Sequence, residues 1–190
     1  MNSKLFQIIF NKNPNHYTDA KKMEMINTVR KAIQPAPNHP TDSILFLKGD
    51  EVQKVMDLLK LDKIYTECFG SSIEINPLYI YAFYIVGKSV SSIVSTLSIE
   101  IDGTSATIWN VCNDLQIKGG YMRGLMDASL DYIRKKYIRK KLGVKKAQLY
   151  VLLSNPYYDK AVALYKSRGF EIDTRFVSKY GDRIRMSYRF

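Results

Sequence analysis

Apolar residues recur along this chain with two periods, and the changes of period mark its elements. Met23, Ile26, Val29 and Ile33 stand at helical spacing and predict a helix over Tyr17–Ile33, with Thr18 or Asp19 at its cap. Before it, Leu5–Phe10 is a compact apolar run of β character ended by Asn-Lys-Asn-Pro. Gln34–Asp42 holds three prolines, which argues against a helix or a central strand and predicts a loop. Ile44–Leu47 is a brief extended piece. Asp50 then caps a short helix carrying Val52, Val55, Met56 and Leu59 along one side.

From Leu78 the period becomes two. Leu78–Val86 is rich in Tyr, Ile and Val and turns at Gly87-Lys88. Ile93–Ile101 alternates, with Ile93, Ser95, Leu97, Ile99 and Ile101 on one face, and Asp102-Gly103 is a strong hairpin signal into the return strand Thr104–Cys112. The helical period resumes after Gly120, where Met122, Met126, Leu130, Ile133 and Tyr137 form one stripe with Leu125 and Ser129 beside it. Leu142-Gly143 ends that helix. Ala147–Leu153 is a buried-type strand, and Ser154–Phe170 contains a helix with Ala161, Leu164 and Tyr165 on one face and Gly169 as its stop. Glu171–Ser178 and Arg183–Phe190 close the chain as two strands around Tyr180-Gly181-Asp182.

The order is strand, helix, helix, three strands, helix, strand, helix, two strands. It predicts an α/β (mixed α+β) architecture: a central mixed sheet of about seven strands flanked by about four helices. The unit around Gly120 is a right-handed parallel crossover. At 190 residues a single domain, 1–190, is the simplest organisation. No apolar run approaches the roughly 20 residues that span a bilayer, and the N-terminus reads as a first strand rather than a signal peptide, so no membrane association is expected. Cys68 and Cys112 have neither metal-type spacing nor a CxxC arrangement, which makes a reduced, cytoplasmic setting the default.

Composition changes the picture at one point. The net charge of +11 favours an anionic partner: nucleic acid, a phosphorylated cofactor or an acidic surface. Much of it lies in Arg134–Lys146, which is either the solvated tail of a helix, where basic side chains complement the dipole, or a nucleic-acid contact. His16 and His39 fall in N-terminal loops, away from any catalytic pattern.

Trp109 to Tyr137 concentrates the candidate chemistry. A strand runs into a polar turn, a glycine pair and a long helix, so unpaired N–H groups and the positive end of the helix dipole meet at Gly119-Gly120. That arrangement suits phosphate, and equally well makes a tight turn. No GxGxxG and no Gly-Lys-Ser/Thr is present, which excludes Rossmann and P-loop nucleotide binding.

Two segments resemble the GCN5-related N-acetyltransferases. Val111–Met126 (VCNDLQIKGGYMRGLM) resembles that family's strand-four-to-helix-three segment, where a Gln/Arg-x-x-Gly-x-Gly/Ala turn holds the coenzyme A pyrophosphate. Ala161–Phe170 (AVALYKSRGF) resembles its Ala-x-x-Leu-Tyr-x-x-x-Gly-Phe segment. The two cover the C-terminal half; up to about Leu78 the match is by element order alone. With Gln116 on the family's Gln/Arg, Gly119 is the first glycine and Tyr121 replaces a small residue. With Gly120 as that glycine, Leu125 and Met126 match the usual apolar pair, Ile117 replaces the Gln/Arg, and Met122 takes the small position. Either register predicts crowding in the turn. The family's asparagine three residues before Ala161 is Tyr158 here, with Asn155 nearby.

The resemblance implies acetyl transfer from acetyl-CoA to a primary amine, without a metal, by a monomer or homodimer. The acceptor would be a small molecule or a protein. It implies that the fourth and fifth strands splay apart, so that backbone groups of Asn110, Val111 and Cys112 bind the pantetheine arm and stabilise an oxyanion. Lys118 adds a charge-assisted phosphate contact. Tyr165 matches the tyrosine that protonates the departing sulfur, against its plainer role as a core aromatic. No carboxylate lies on Thr104–Cys112; Glu100, Asp102 and Asp114 are the nearest bases. A catalytically idle domain of the same fold, binding coenzyme A or RNA through its basic surface, is the alternative.

Overall fold

A computed structural model describes residues 18–37, 39–59, 61–87, 92–114, 119–176 and 181–190, with backbone only at 40, 57, 58 and 174–176. The elements are α1 (Asp19–Ala32), β1 (Ile33–Ala36), β2 (His39–Lys48), α2 (Gly49–Leu59), α3 (Leu61–Phe69), β3 (Ile80–Ile85), β4 (Ile93–Asp102) and β5 (Ser105–Asn113). They continue with α4 (Tyr121–Ile133), which runs on as a π-helical turn (Arg134–Ile138), then β6 (Lys146–Leu152), α5 (Tyr158–Ser167), β7 (Glu171–Phe176) and β8 (Arg183–Arg189). The described strands make one eight-stranded mixed sheet in the order β1-β2-β3-β4-β5-β6-β8-β7. The mixed α+β class is as expected; the described residues alone hold eight strands and five α-helices, against about seven and about four expected for the whole chain. The expected strand Leu5–Phe10 lies outside the described residues, as do His16 and Tyr17.

By backbone contacts the chain divides into two compact units, Met1–Leu97 with Val111–Leu125 and Ser98–Asn110 with Met126–Phe190. In the first, Thr18 caps α1, its hydroxyl accepting from the Lys21 amide at 3.3 Å. The core gathers Met25 and Val29 of α1, Val52, Val55 and Leu59 of α2, and Leu61 and Tyr65 of α3 against Leu45, Leu47, Tyr81, Phe83 and Ile85 of the sheet. Asp50 is not the cap expected: it is the second residue of the helix. Gly49 already opens α2, and Glu51 reaches back to accept from the Lys48 amide at 2.8 Å.

Three expectations are corrected here. Gln34–Asp42 is not a loop: Ile33–Ala36 pairs antiparallel with β2, and the register jumps from Pro35↔Ser43 to Ala36↔His39. Among the described strands β1 is the edge, where a missing N–H is harmless, and Pro40 falls in the irregularity, where it needs no ladder partner. His39 accordingly belongs to a strand. The helix α3 has no counterpart in the sequence reading; its buried face is only Leu61 and Tyr65 on nine residues, too short a period to stand out. Cys68 of α3 and Cys112 of β5, far apart in sequence, are joined in a disulfide with Cα atoms 6.0 Å apart, inside the usual range.

In the second unit, β6 alternates strictly. Ala147, Leu149 and Val151 are buried, whereas Lys146, Gln148, Tyr150 and Leu152 stand on a half-exposed face. β8 repeats the pattern with Ile184 and Met186 buried and Arg183, Arg185 and Ser187 half-exposed. α5 ends in a Schellman motif: the Phe170 amide donates to the Tyr165 carbonyl at 3.0 Å and the Gly169 amide to that of Lys166 at 2.9 Å. Gly169 has φ +87°, and a Cβ there would press on the Tyr188 ring at 3.2 Å. The expected glycine stop is therefore required twice over. Arg168 next to it holds Asp127 of α4 at 2.7 Å.

Candidate functional site

The second unit contains a break in its sheet. β5 and β6 pair in parallel from Ser105↔Lys146 to Ile108↔Leu149, and among the described residues of this unit the ladder stops there. Both strands run on, β5 through Trp109 and Asn110 and β6 to Leu152, where β6 still pairs with β8. Asn110 has φ +51°, a left-handed conformation that non-glycine residues enter at a cost. Its side-chain amide donates to Ser98 Oγ of the neighbouring β4 at 3.2 Å. Two parallel strands that part leave backbone donors and acceptors facing each other without partners of their own, and such groups seek a ligand or water. At the next step along the two strands, Trp109 and Tyr150 stack with ring centroids 5.3 Å apart and 21° between planes.

Val111 and Cys112, which follow Asn110 on β5, belong to the first unit. Cys112 is 5% exposed and bonded to Cys68, so it has no thiol to offer as a nucleophile. The end of the strand is fixed by Ser95 Oγ donating to Asn113 Oδ1 at 2.5 Å and by the Asp114 amide on the Val94 carbonyl at 2.8 Å.

The glycine turn that follows is described from Gly119 onward; Gln116, Ile117 and Lys118 lie outside the described residues. Gly120 has φ +70°, which an L side chain rarely adopts, and its carbonyl receives the Arg123 amide at 3.0 Å and the Gly124 amide at 3.3 Å. It is the residue that starts α4. Gly119 is needed for a different reason: the Tyr121 ring folds back over it and leaves no room for a Cβ. The crowding expected from the sequence is therefore present, and it falls on Tyr121, because Met122 turns into the core at 7% exposure.

A cluster that the sequence did not announce holds Tyr121 in place. Its ring lies 5.2 Å from that of Tyr84 and 6.3 Å from that of His39. Tyr84 donates to Asp42 Oδ2 at 3.3 Å, while Asp42 Oδ1 accepts from the Gly87 amide at 2.9 Å. Burial first and the Asp42 carboxylate second push the Tyr84 phenol well above its ordinary pKa, so it stays a donor. Tyr84 also explains Gly124, whose Cβ would stand 3.0 Å from that ring. Asp42 comes from the proline-rich stretch and Tyr84 from a strand, and only tertiary pairing brings them together.

On α5, Tyr165 is buried at 7% exposure and meets Phe170 edge-on at 6.2 Å. Burial pushes its phenol up to about 12. Asn155 builds the turn into the helix: its Oδ1 accepts from the Tyr157 amide and its carbonyl from the Tyr158 amide, both at 2.9 Å. Tyr158 opens α5, and Ala161 stands one turn later, its amide on the Tyr157 carbonyl at 2.9 Å. Of the candidate bases, Glu100 is half-buried on β4 and accepts from Trp109 Nε1 at 2.8 Å, whereas Asp102 is exposed at the hairpin.

The fold is shared with solved proteins. The ribosomal-protein-S18-alanine N-acetyltransferase of Escherichia coli superposes with a TM-score of 0.55 at 19% identity, over 78% of this chain and 93% of that one. Arabidopsis thaliana NAA60 in complex with acetyl-CoA gives 0.60 at 14% identity, over 79% and 99%. The spermidine N-acetyltransferase of Vibrio cholerae with CoA and spermine gives 0.54 at 18%, over 78% and 95%. The fold is that of the GCN5-related N-acetyltransferases. No family model matches the chain. No curated protein matches it in sequence either. The likeness to the acetyltransferase fold thus lives in the arrangement of elements and in short segments rather than in overall identity.

Proposed function

We propose that the chain is an acetyl-CoA-dependent N-acetyltransferase acting on a primary amine by direct attack. The observation that carries this is the parting of β5 from β6 beyond Ile108↔Leu149, with Asn110 held at φ +51°. Backbone groups at Asn110, Val111 and Cys112 would bond the pantetheine arm as an added strand would, and an N–H among them would face the carbonyl oxygen as it gains charge. The neutral amine attacks the thioester carbon, the N–C bond forms, the C–S bond breaks, and the nitrogen gives up a proton as the sulfur takes one.

Gly119, Gly120 and Tyr121, at the start of α4, would receive the pyrophosphate on unpaired amides, with the neighbouring Gln116, Ile117 and Lys118 completing that turn and Met122 supporting it from the core. Asn155, Tyr158 and Ala161 would border the coenzyme at the start of α5. Tyr165 would serve the leaving group. With its phenol at about 12 against about 8.5 for an ordinary thiol, complete proton transfer is uphill by roughly 5 kcal/mol. Tyr165 therefore acts as a hydrogen-bond donor to sulfur while charge develops there, and solvent supplies the proton afterwards.

Calorimetry with acetyl-CoA, followed by thiol release over a panel of amines, tests the reading. Binding in the micromolar range and release that depends on the amine are expected. Absence of coenzyme binding overturns it. Binding with no turnover on any amine returns the chain to an idle coenzyme-binding domain, a reading favoured by one observation: Arg139, Lys140, Lys141 and Lys145 are all exposed, as an RNA-facing surface requires.

A further inference from the structure

The end of α4 breaks two local rules at adjacent residues. The helix runs through its π-helical turn and closes in a Schellman motif: the Leu142 amide donates to the Tyr137 carbonyl at 2.8 Å and the Lys141 amide to that of Ile138 at 2.9 Å. The left-handed position of that motif usually belongs to glycine; here it is Lys141, at φ +55°. The residue after it usually packs an apolar side chain back onto the helix. Leu142 does not, being 57% exposed. Local rules broken side by side, with no gain inside the fold, mark a surface kept for a partner.

Around Leu142 the chain is basic. Tyr132–Lys146 contains eight Lys and Arg and no carboxylate, and three of the eight are engaged at the helix end. Arg134 donates to Tyr188 Oη at 2.9 Å, Lys135 pairs with Asp131 at 2.6 Å, and Lys136 donates to Tyr132 Oη at 2.6 Å. Arg139, Lys140, Lys141 and Lys145 are exposed, and their side chains form no ion pair among the described residues. The closed turn keeps the first three beside Leu142, and the Lys145 amide is fixed to the Thr104 carbonyl at 2.9 Å. Three acidic groups border this surface. Asp102 is exposed at the hairpin, next to Gly103, whose carbonyl faces Gly143. Phe190, with the carboxylate that ends the sequence, donates its amide to the Lys145 carbonyl at 3.3 Å. Glu171 is exposed on β7, opposite Ser187. Set against Arg139, Lys140, Lys141, Lys145, Lys146 and Arg189, they leave the surface net positive.

Exposed cations alone suit any polyanion, and Leu142 narrows the choice. Single-stranded nucleic acid rewards aromatic rings on which its bases stack, and the tyrosines of this segment, Tyr132 and Tyr137, are half-buried. A bilayer surface takes both kinds of group: basic side chains meet anionic headgroups while an aliphatic one enters the boundary with the acyl chains. We propose that the turn Arg139–Leu142, with Lys145, docks the protein on an anionic membrane surface. No described helix is long and apolar enough to cross a bilayer, and none is needed, because the turn attaches to one face of it. The contact is reversible, since a few cations and one leucine fall short of a stable anchor. It is independent of the acetyltransferase reading and would serve an idle domain equally.

Flotation of the full chain with vesicles of phosphatidylcholine, and of phosphatidylcholine with phosphatidylserine, tests this beside binding of a single-stranded RNA oligonucleotide. Binding is expected on the anionic vesicles only, and it should weaken as salt is raised. Lys140→Gln should lower the partition about fivefold, whereas Lys31→Gln, which removes the same charge from the exposed end of α1, should leave it nearly unchanged. Leu142→Ser should lower it about tenfold or more at constant charge. Lys141→Gly should raise the melting temperature while weakening vesicle binding, opposite signs that a merely structural turn would not give. Equal partition onto neutral and anionic vesicles, no effect of Leu142→Ser, or equal effects of Lys31→Gln and Lys140→Gln overturns the proposal. RNA bound more tightly than vesicles at the same salt, and unmoved by Leu142→Ser, overturns it too and assigns the turn to nucleic acid.

Discussion

A single buried phenol links stability and chemistry at the residue scale. Tyr165 is pushed up to about 12 by burial, as is Tyr65, whose hydroxyl lies 3.4 Å from Thr96 Oγ1. Both folded values exceed the ordinary 10, so between about pH 10 and pH 12 the unfolded chain binds fewer protons than the native one. Their contribution to stability is complete below pH 10 and is lost as pH rises towards 12, on the order of 3 kcal/mol for each group. Denaturant unfolding at pH 9 and pH 11 should show the fall, and Tyr165→Phe should make it shallower. The same variant should lower turnover about tenfold or more, as loss of a hydrogen bond to a developing charge does, while acetyl-CoA affinity is kept. Turnover unchanged in Tyr165→Phe would assign that side chain to the core alone.

Among elements, the bond between α3 and β5 is the most consequential. The disulfide joins residues 44 apart, and closing a loop of that length removes about 4 kcal/mol of unfolded-state entropy in the chain model. Reduction with a phosphine, or Cys68→Ser, should therefore lower the melting temperature by roughly 10 °C. An unchanged melting temperature would mean that the link adds nothing to the native state. Elements also show where sequence was informative. Of the stripe Met122, Met126, Leu130, Ile133 and Tyr137, the first four are buried, as are Leu125 and Ser129 beside it, while Tyr137 is half-buried in the π-helical turn. The stripe was legible because thirteen helical residues repeat its period often enough. The Asp102-Gly103 hairpin and the Gly169 stop were legible because their chemistry is local. α3 was not, having two buried residues in nine, nor was the edge strand β1, because proline is excluded from a strand only when its N–H is needed.

For the whole molecule, the charge of +11 is the property without a local address. It should draw the polyanionic coenzyme by steering, so its association rate should fall about tenfold or more between 0.02 M and 0.3 M salt, with dissociation nearly constant. Stopped-flow mixing at several ionic strengths measures this, and a rate flat across the series would remove the steering.

The sequence by itself determined the class of the fold, the long helix after a glycine pair, and the candidate phosphate turn, since period, turn chemistry and glycine spacing act over a few residues. It also announced crowding at that turn, though not that Tyr121 lies over Gly119. The gap between β5 and β6, the seat of Asp42 under Tyr84, the Cys68–Cys112 bond and the Trp109–Tyr150 stack were decided only by tertiary structure. Each joins residues tens of positions apart, through strand registers that no single stretch of chain encodes.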